Sequence, residues 1–93
     1  MIQSFGDKET EALFNRESVK KYPPELLHRG RSKLLIIHAA TSEIDLCAPP
    51  GNRFERLKGD KKGLCSIRIN DQWRITFIWK DGHANDVTIT DYH

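Results

Sequence analysis

Cationic side chains recur among apolar ones in the second half of this chain, and a phenol and an imidazole close it. The residues that could act on a phosphate are Lys58, Arg68, Arg74, Tyr92 and His93. Two guanidinium groups that converge on one point can bind a phosphate in bidentate geometry. An imidazole titrates near neutral pH, and a phenol can donate a proton or stack on a nucleobase. Together these groups could hold an RNA phosphate and move protons around it.

Each of these side chains also has a simpler interpretation. Arg68 and Arg74 could be solvated strand residues that pair with carboxylates. Lys58 could be a solvated loop lysine, because the Gly-Asp that follows it is typical of a turn. Tyr92 could pack at a sheet edge, and His93 could be a frayed terminal residue. The residue types alone leave both interpretations open.

Alternating apolar and polar residues predict that two neighbouring strands carry the arginines. In 64–70 and 73–79 every second residue is apolar, and Arg68 and Arg74 occupy positions in between. Successive residues of a strand point to opposite faces of the sheet. We therefore expect a hairpin that turns at 70–72 and places both guanidinium groups on one face.

The first half of the chain predicts two helices. Alternation in 2–5 predicts a short first strand, and good helix formers predict a helix over 8–16. Apolar spacing predicts a second helix over roughly 24–40. Three cations of this helix are expected to face outward: Arg29, Arg31 and Lys33. Segment 41–50 is interpreted as a connector, since Pro-Pro-Gly at 49–51 stops any helix.

Val87 and Ile89 mark a last strand, which follows an Asp-Gly hairpin signal at 81–82. Helices can cover the apolar face of such a sheet, and the polar face with Arg68 and Arg74 then stays open. We therefore predict an α+β fold, with two N-terminal helices packed on a small twisted antiparallel β-sheet.

Length and composition favour a single domain over 1–93. No apolar run approaches the ~18 residues needed to span a bilayer, and no secretory signal is visible. Cys47 and Cys65 do not make a disulfide framework, so we expect reduced thiols and a cytoplasmic protein. The histidines show no metal-ligand spacing with either cysteine, so no metal or other cofactor is expected.

The net charge of +2 conceals a basic segment. Residues 53–80 carry eight Lys/Arg against three Asp/Glu, a local excess of +5. This excess favours an anionic partner, either nucleic acid or an acidic protein, although a solvated β-surface is the simpler explanation. The modest overall charge predicts weak affinity for naked RNA.

Three motifs resemble those of the HigB toxins, which belong to the RelE/ParE superfamily of bacterial toxin–antitoxin systems. They are Pro-Pro-Gly-Asn-Arg-Phe-Glu-Arg-Leu-Lys-Gly-Asp at 49–60, Ser-Ile-Arg-Ile-Asn-Asp-Gln-Trp-Arg-Ile-Thr-Phe at 66–77, and Asp-Tyr-His at 91–93. The resemblance covers most of the chain and implies the RelE-like fold, which agrees with the order of elements predicted above.

The resemblance implies a ribosome-dependent mRNA interferase that uses no metal. Such toxins enter the ribosomal A site, where the mRNA 2′-OH attacks the adjacent phosphorus and leaves a 2′,3′-cyclic phosphate and a 5′-OH. By motif, the working residues of the family fall on Lys58, Arg68, Arg74, Asp91, Tyr92 and His93. The three cations are expected to face the phosphate, and the last three residues to serve proton transfer and base contact. Further RNA-binding residues are expected among the nearby cations: Arg53, Arg56, Lys61 and Lys62.

Two positions depart from the family pattern. A well-known branch of HigB carries a histidine three residues before the lysine of Leu-Lys-Gly-Asp, and this chain has Glu55 there. Its carboxylate could act as a base or pair with an arginine, so Glu55 is a candidate helper only. Relatives often have an aromatic residue just before Ser66, where this chain has Cys65 on the predicted core face.

Two other functions stay open. A ParE-type toxin shares the fold but binds and poisons DNA gyrase, and a non-catalytic RNA-binding module would need only the basic segment. The joint presence of the three cations and the Tyr92-His93 end favours the interferase. The resemblance also implies the partners: a HigA-like helix-turn-helix antitoxin, the 70S ribosome and mRNA, with operator DNA bound only through the antitoxin and no membrane.

Overall fold

The computed structural model describes residues 1–58 and 62–91. In these residues the helices are α1 (Lys8–Phe14), α2 (Pro24–Ala39) and α3 (Glu43–Leu46), followed by a 3₁₀ turn (Pro50–Asn52). The strands are β1 (Glu55–Arg56), β2 (Leu64–Arg68), β3 (Trp73–Lys80) and β4 (His83–Asp91). They form one antiparallel sheet in the order β1-β2-β3-β4. The predicted α+β fold, with helices before an antiparallel sheet, is confirmed.

Apolar side chains from α1 and α2 pack against one face of the sheet. The side chains of this core that are fully shielded from solvent include Leu13, Leu26, Leu34, Ile37, Ile67, Ile75, Phe77 and Val87. Cys65 is buried in the same core, as the alternation predicted, and burial raises the pKa of its thiol. Both cysteines are free thiols. The opposite face carries the polar residues of β2, β3 and β4.

The predicted first strand forms only two isolated parallel bridges, which join Ile2 to Ala84 and Phe5 to Val87. Between these bridges, Asp86 of β4 has a positive φ of 53° and donates its N–H to the Ser4 hydroxyl at 2.9 Å. The irregular backbone at Asp86 interrupts the ladder, so the N-terminal segment lies along β4 without becoming a regular strand.

The segment interpreted as a connector contains α3 and the 3₁₀ turn. Ser42 and Asp45 form a reciprocal capping box at the start of α3. Hydrogen bonds from the backbone and hydroxyl of Thr41, and then from Ser42, lower the pKa of the Asp45 carboxyl. The Ser-Glu-Ile-Asp sequence at 42–45 was therefore a start signal that the proline-based interpretation missed.

Within the described residues, no helix has both the length and the apolar character needed to cross a membrane.

One buried hydroxyl ties α1 to the sheet. The Oγ1 atom of Thr10 accepts the Ile89 N–H at 2.9 Å, and Thr10 is fully buried. Asp7 caps the helix that positions Thr10, since its Oδ1 accepts the Thr10 N–H at 2.8 Å. A buried N–H group without an acceptor destabilises the fold, because no protein hydrogen bond replaces the one that it makes to water in the unfolded chain.

Thr10→Val should therefore destabilise the fold, because it keeps the side-chain shape but removes the acceptor for the Ile89 N–H. We expect a loss of about 1–3 kcal/mol in the free energy of unfolding, measured by urea denaturation. Thr10→Ser keeps the hydroxyl and should lose less. A Val variant as stable as the wild type would show that this hydrogen bond does not anchor α1.

Candidate phosphate-binding site

The β2–β3 hairpin places Arg68 directly opposite Arg74. Directly opposed residues of an antiparallel pair have their side chains on the same face of the sheet, so the prediction of a shared face is confirmed. The turn is fixed by Asn70, whose Oδ1 accepts the backbone N–H groups of Gln72 at 2.9 Å and Trp73 at 2.8 Å. The short polar turn thus sets the register that pairs the two arginines.

Neutral oxygen atoms hold the guanidinium group of Arg74. Its Nε donates to the Ser66 hydroxyl at 2.9 Å, and its Nη2 donates to the Arg53 carbonyl at 2.8 Å. A longer contact of 3.4 Å joins Nη2 to the Ser66 carbonyl. No carboxylate of the described residues pairs with Arg74. Its orientation is therefore fixed while its positive charge is not cancelled within the described residues, where no hydrogen bond uses Nη1.

Arg68 has a different partner. Its guanidinium group forms an ion pair with the Asp71 carboxylate, three residues further along the chain. The Asp71 side chain is fully solvent-exposed, whereas that of Arg68 is 28% exposed. The simpler interpretation, a strand arginine paired with a carboxylate, therefore describes Arg68 but not Arg74. An incoming phosphate would have to displace an exposed carboxylate, whose bond is weakened by water.

Asn52 and Arg53 position the carbonyl group that holds Arg74. Asn52 is fully buried, and its Nδ2 donates to the carbonyls of Leu46 at 3.1 Å and Ala48 at 3.0 Å. Arg53 follows with a left-handed backbone, φ 44° and ψ 56°. That conformation is uncommon for a residue with a side chain and is held here by its surroundings. The buried amide therefore supports a strained residue whose backbone, rather than its side chain, reaches Arg74.

Two of the α2 cations that were predicted to face outward are only partly exposed and are hydrogen-bonded to other segments of the chain. Lys33 donates its ammonium group to the Oδ1 of Asn52, and Arg31 donates its Nε to the Leu13 carbonyl at 3.1 Å. Both side chains are half-buried. Helical spacing shows which residues flank the apolar stripe, but their partners come from distant segments of the chain, so no local pattern predicted these contacts.

The other predicted site residues are more dispersed. Lys58 and Lys62 are exposed, and both lie between β1 and β2 in the sequence. Arg56 forms an ion pair with Glu43. Glu55 lies opposite Ser66 and thus on the face of the arginine pair.

Asp91 lies opposite Trp73, and its Oδ2 accepts a hydrogen bond from Gln72 at 3.2 Å. Thr90, rather than Asp91, is opposite Arg74. Three predicted site residues lie outside the residues that the structure describes: Lys61, Tyr92 and His93.

The arginine pair is half-buried on the polar face of the sheet. A cavity of about 780 Å³ lies elsewhere, at the other end of the hairpin, where Leu57, Gly63, Trp79 and Lys80 contribute to its lining. Neither arginine lines this cavity. Across 1–58 and 62–91, no three His, Cys, Asp or Glu side chains are grouped to hold a metal ion.

Comparison with known proteins places the chain in a family. Residues 3–93 match the HigB-like toxins, described as the RelE-like toxin of the type II toxin–antitoxin system HigB. The chain belongs to this family of HigB-like toxins. Toxin HigB-1 of Vibrio cholerae is 44% identical over 85 residues, which cover 90% of each chain. Endoribonuclease HigB of Proteus vulgaris is 34% identical over 93 residues, the whole of both chains.

An uncharacterized protein of Haemophilus influenzae is 31% identical over 67 residues, 72% of this chain and 66% of that protein. The family match confirms the HigB resemblance and implies an antitoxin as partner. The ParE-like alternative finds no support, because the matched family and both named relatives are HigB toxins.

Asp71→Asn should strengthen the binding of this HigB-like toxin to a non-cleavable 2′-O-methyl RNA oligonucleotide. The change frees Arg68 from its exposed carboxylate partner, and we expect roughly two- to fivefold tighter binding at low salt. Fluorescence anisotropy would measure the affinity. Asp81→Asn, in the β3–β4 turn, makes the same change in net charge away from Arg68. Equal gains in the two variants would attribute the effect to net charge and contradict the release of Arg68.

Proposed function

We propose that this chain is an endoribonuclease toxin that cuts mRNA in the ribosomal A site and thereby inhibits translation. The observation that carries the proposal is the opposed pair Arg68 and Arg74, in which neutral oxygens orient Arg74 without neutralising it. The relative from Proteus vulgaris is named an endoribonuclease, and its match covers the whole chain. A fixed guanidinium group on the polar face of the sheet suits an RNA phosphate presented by a larger assembly.

In the proposed reaction the 2′-OH of one nucleotide attacks the adjacent phosphorus and the bond to the 5′-oxygen breaks. A base removes the proton of the 2′-OH and an acid donates a proton to the leaving 5′-oxygen, so the products are a 2′,3′-cyclic phosphate and a 5′-OH. Negative charge develops on the non-bridging phosphate oxygens. Arg74 would bind those oxygens through Nη1, with Arg68 and Lys58 adding positive charge.

The acid and the base are proposed among Asp91, Tyr92 and His93, with Glu55 as a helper. Imidazole, phenol and carboxylate are the groups that carry protons in such reactions. Support for Glu55 comes from its place opposite Ser66, beside the oxygen that orients Arg74. No metal enters the proposed reaction, because the cations and proton carriers account for the charge and for both proton transfers.

Further contacts with RNA are proposed for four cations: Arg53, Arg56, Lys61 and Lys62. Arg56 would exchange its Glu43 partner for a phosphate. With a net charge of only +2, the toxin would neutralise few phosphates of free RNA. The 70S ribosome would therefore supply much of the substrate positioning, because it would hold the mRNA in the orientation that the reaction needs.

We extend the proposal to the partners and the place of action. The antitoxin would be a HigA-like helix-turn-helix protein, and operator DNA would be bound only through it. The toxin would act in the cytoplasm as one domain over 1–93. These assignments rest on membership of the HigB-like family.

A cleavage assay with purified protein and programmed 70S ribosomes tests the function. We expect cuts in the A-site codon only when ribosomes are present, with a 2′,3′-cyclic phosphate on the upstream product. A matched message with a 2′-O-methyl group at the attacking nucleotide should stay intact, because its 2′-oxygen cannot attack.

Two outcomes would count against the proposal. Cuts that leave a 5′-phosphate would contradict 2′-OH attack and point to hydrolysis by water. Intact mRNA in every condition, from folded protein, would contradict the endoribonuclease and leave RNA binding without cleavage to be measured.

A further inference from the structure

Lys33 lies outside the sequence motifs that contain Arg68 and Arg74, yet its hydrogen-bond partner directly precedes the residue that holds Arg74. The residue belongs to α2, and its ammonium group donates to the Oδ1 of buried Asn52. The next residue, Arg53, supplies the carbonyl that accepts from Arg74 at 2.8 Å. Two cations from distant parts of the chain are therefore tied to consecutive residues of one short segment.

The surroundings of Lys33 do not compensate its charge. No carboxylate in the described part of the chain pairs with it, and its hydrogen-bond partner is a neutral amide. Burial, followed by the positive charges of Arg29 and Arg68, lowers the pKa of the Lys33 ammonium group. A partly desolvated cation among like charges is unfavourable in the free protein, and an anion bound there would relieve the repulsion.

Other cations of this protein show what compensation looks like. Lys21 lies 3.6 Å from a Glu9 carboxylate oxygen, and Arg56 pairs with Glu43. Lys33 resembles Arg74 instead: each donates to neutral oxygen, and neither pairs with a carboxylate in the described part of the chain.

We propose that Lys33 binds the mRNA phosphate next to the scissile one, so that the phosphate-binding surface continues from the sheet onto α2. Asn52 is the shared support, since it holds the Lys33 ammonium group and precedes the residue that holds Arg74. This inference rests on the proposed endoribonuclease function. It concerns binding of the message rather than the chemical step, because the neighbouring phosphate is not the group that reacts.

The test is single-turnover cleavage on programmed ribosomes with three messages. One is natural, and two carry an uncharged methylphosphonate in place of the phosphate on either side of the scissile bond. On the natural message, Lys33→Met should raise the half-saturating toxin concentration roughly three- to tenfold, as expected for the loss of one charge-assisted contact. The maximal rate should change less than about twofold, because the contact exists before and during the reaction.

The decisive result is whether the effect of Lys33→Met disappears when the message lacks the charge of one particular phosphate. On the methylphosphonate message that lacks the partner phosphate, wild type and Lys33→Met should have the same half-saturating concentration. Lys33→Arg keeps the charge and should behave as the wild type on all messages. Lys80→Met, at the far end of β3, is the matched charge-loss control and should show no coupling to either phosphate.

Three outcomes would overturn the inference: no effect of Lys33→Met, an equal effect on all three messages, or failure of Lys33→Arg to restore binding. Lys33→Gln, which keeps an N–H donor for Asn52, replaces the Met variant if thermal melting shows that the latter is unfolded. Absence of cleavage by the wild type on the natural message would instead refute the proposed function itself.

Discussion

The site depends on how Arg74 is held. A guanidinium group presents five N–H donors in a fixed plane, and the protein uses Nε and Nη2 to bind the Ser66 hydroxyl and the Arg53 carbonyl. Both acceptors are neutral, so orientation is achieved without cancelling the charge. A carboxylate in the place of Ser66 would hold the side chain equally well but would compete with every phosphate. The arrangement would thus be organised for the proposed phosphate ligand before it binds.

Keeping Arg74 in place involves elements that lie far apart in the chain. The Asn70 turn sets the hairpin register, and buried Asn52 supports the left-handed backbone of Arg53. Helix α2 contributes Lys33 to the same support. Arg68 contrasts with Arg74, since its exposed partner Asp71 can be exchanged for a phosphate at little cost. Arg74 is oriented without a ligand, and in the proposed function Arg68 would be released from a weak ion pair when an anion binds.

The sequence predicted the features that local patterns determine. Alternation in β2 and β3 fixed the strands, the buried place of Cys65 and the shared face of Arg68 and Arg74. It could not predict the partners of Lys33 or Arg74, because those contacts join segments far apart in the chain and depend on how α2 and the 52–53 segment meet. The short helix α3 was missed because the prolines after it outweighed the capping signal at Ser42. Ser66 was placed on the polar face correctly, but alternation gave no sign that it would be fully buried or would accept a hydrogen bond from Arg74.

The most direct measurement is the single-turnover cleavage rate of Arg74→Lys on programmed ribosomes. Lysine keeps the charge, but its ammonium group cannot bind Ser66, Arg53 and a phosphate in the planar geometry of a guanidinium. We predict a maximal rate lower by roughly a hundred- to a thousandfold, as for the loss of an oriented donor to a developing negative charge. The half-saturating concentration should stay within about threefold of the wild type, because overall charge is conserved. A lysine variant that cleaves at the wild-type rate would show that charge alone suffices, and would contradict the role assigned to the fixed orientation of Arg74.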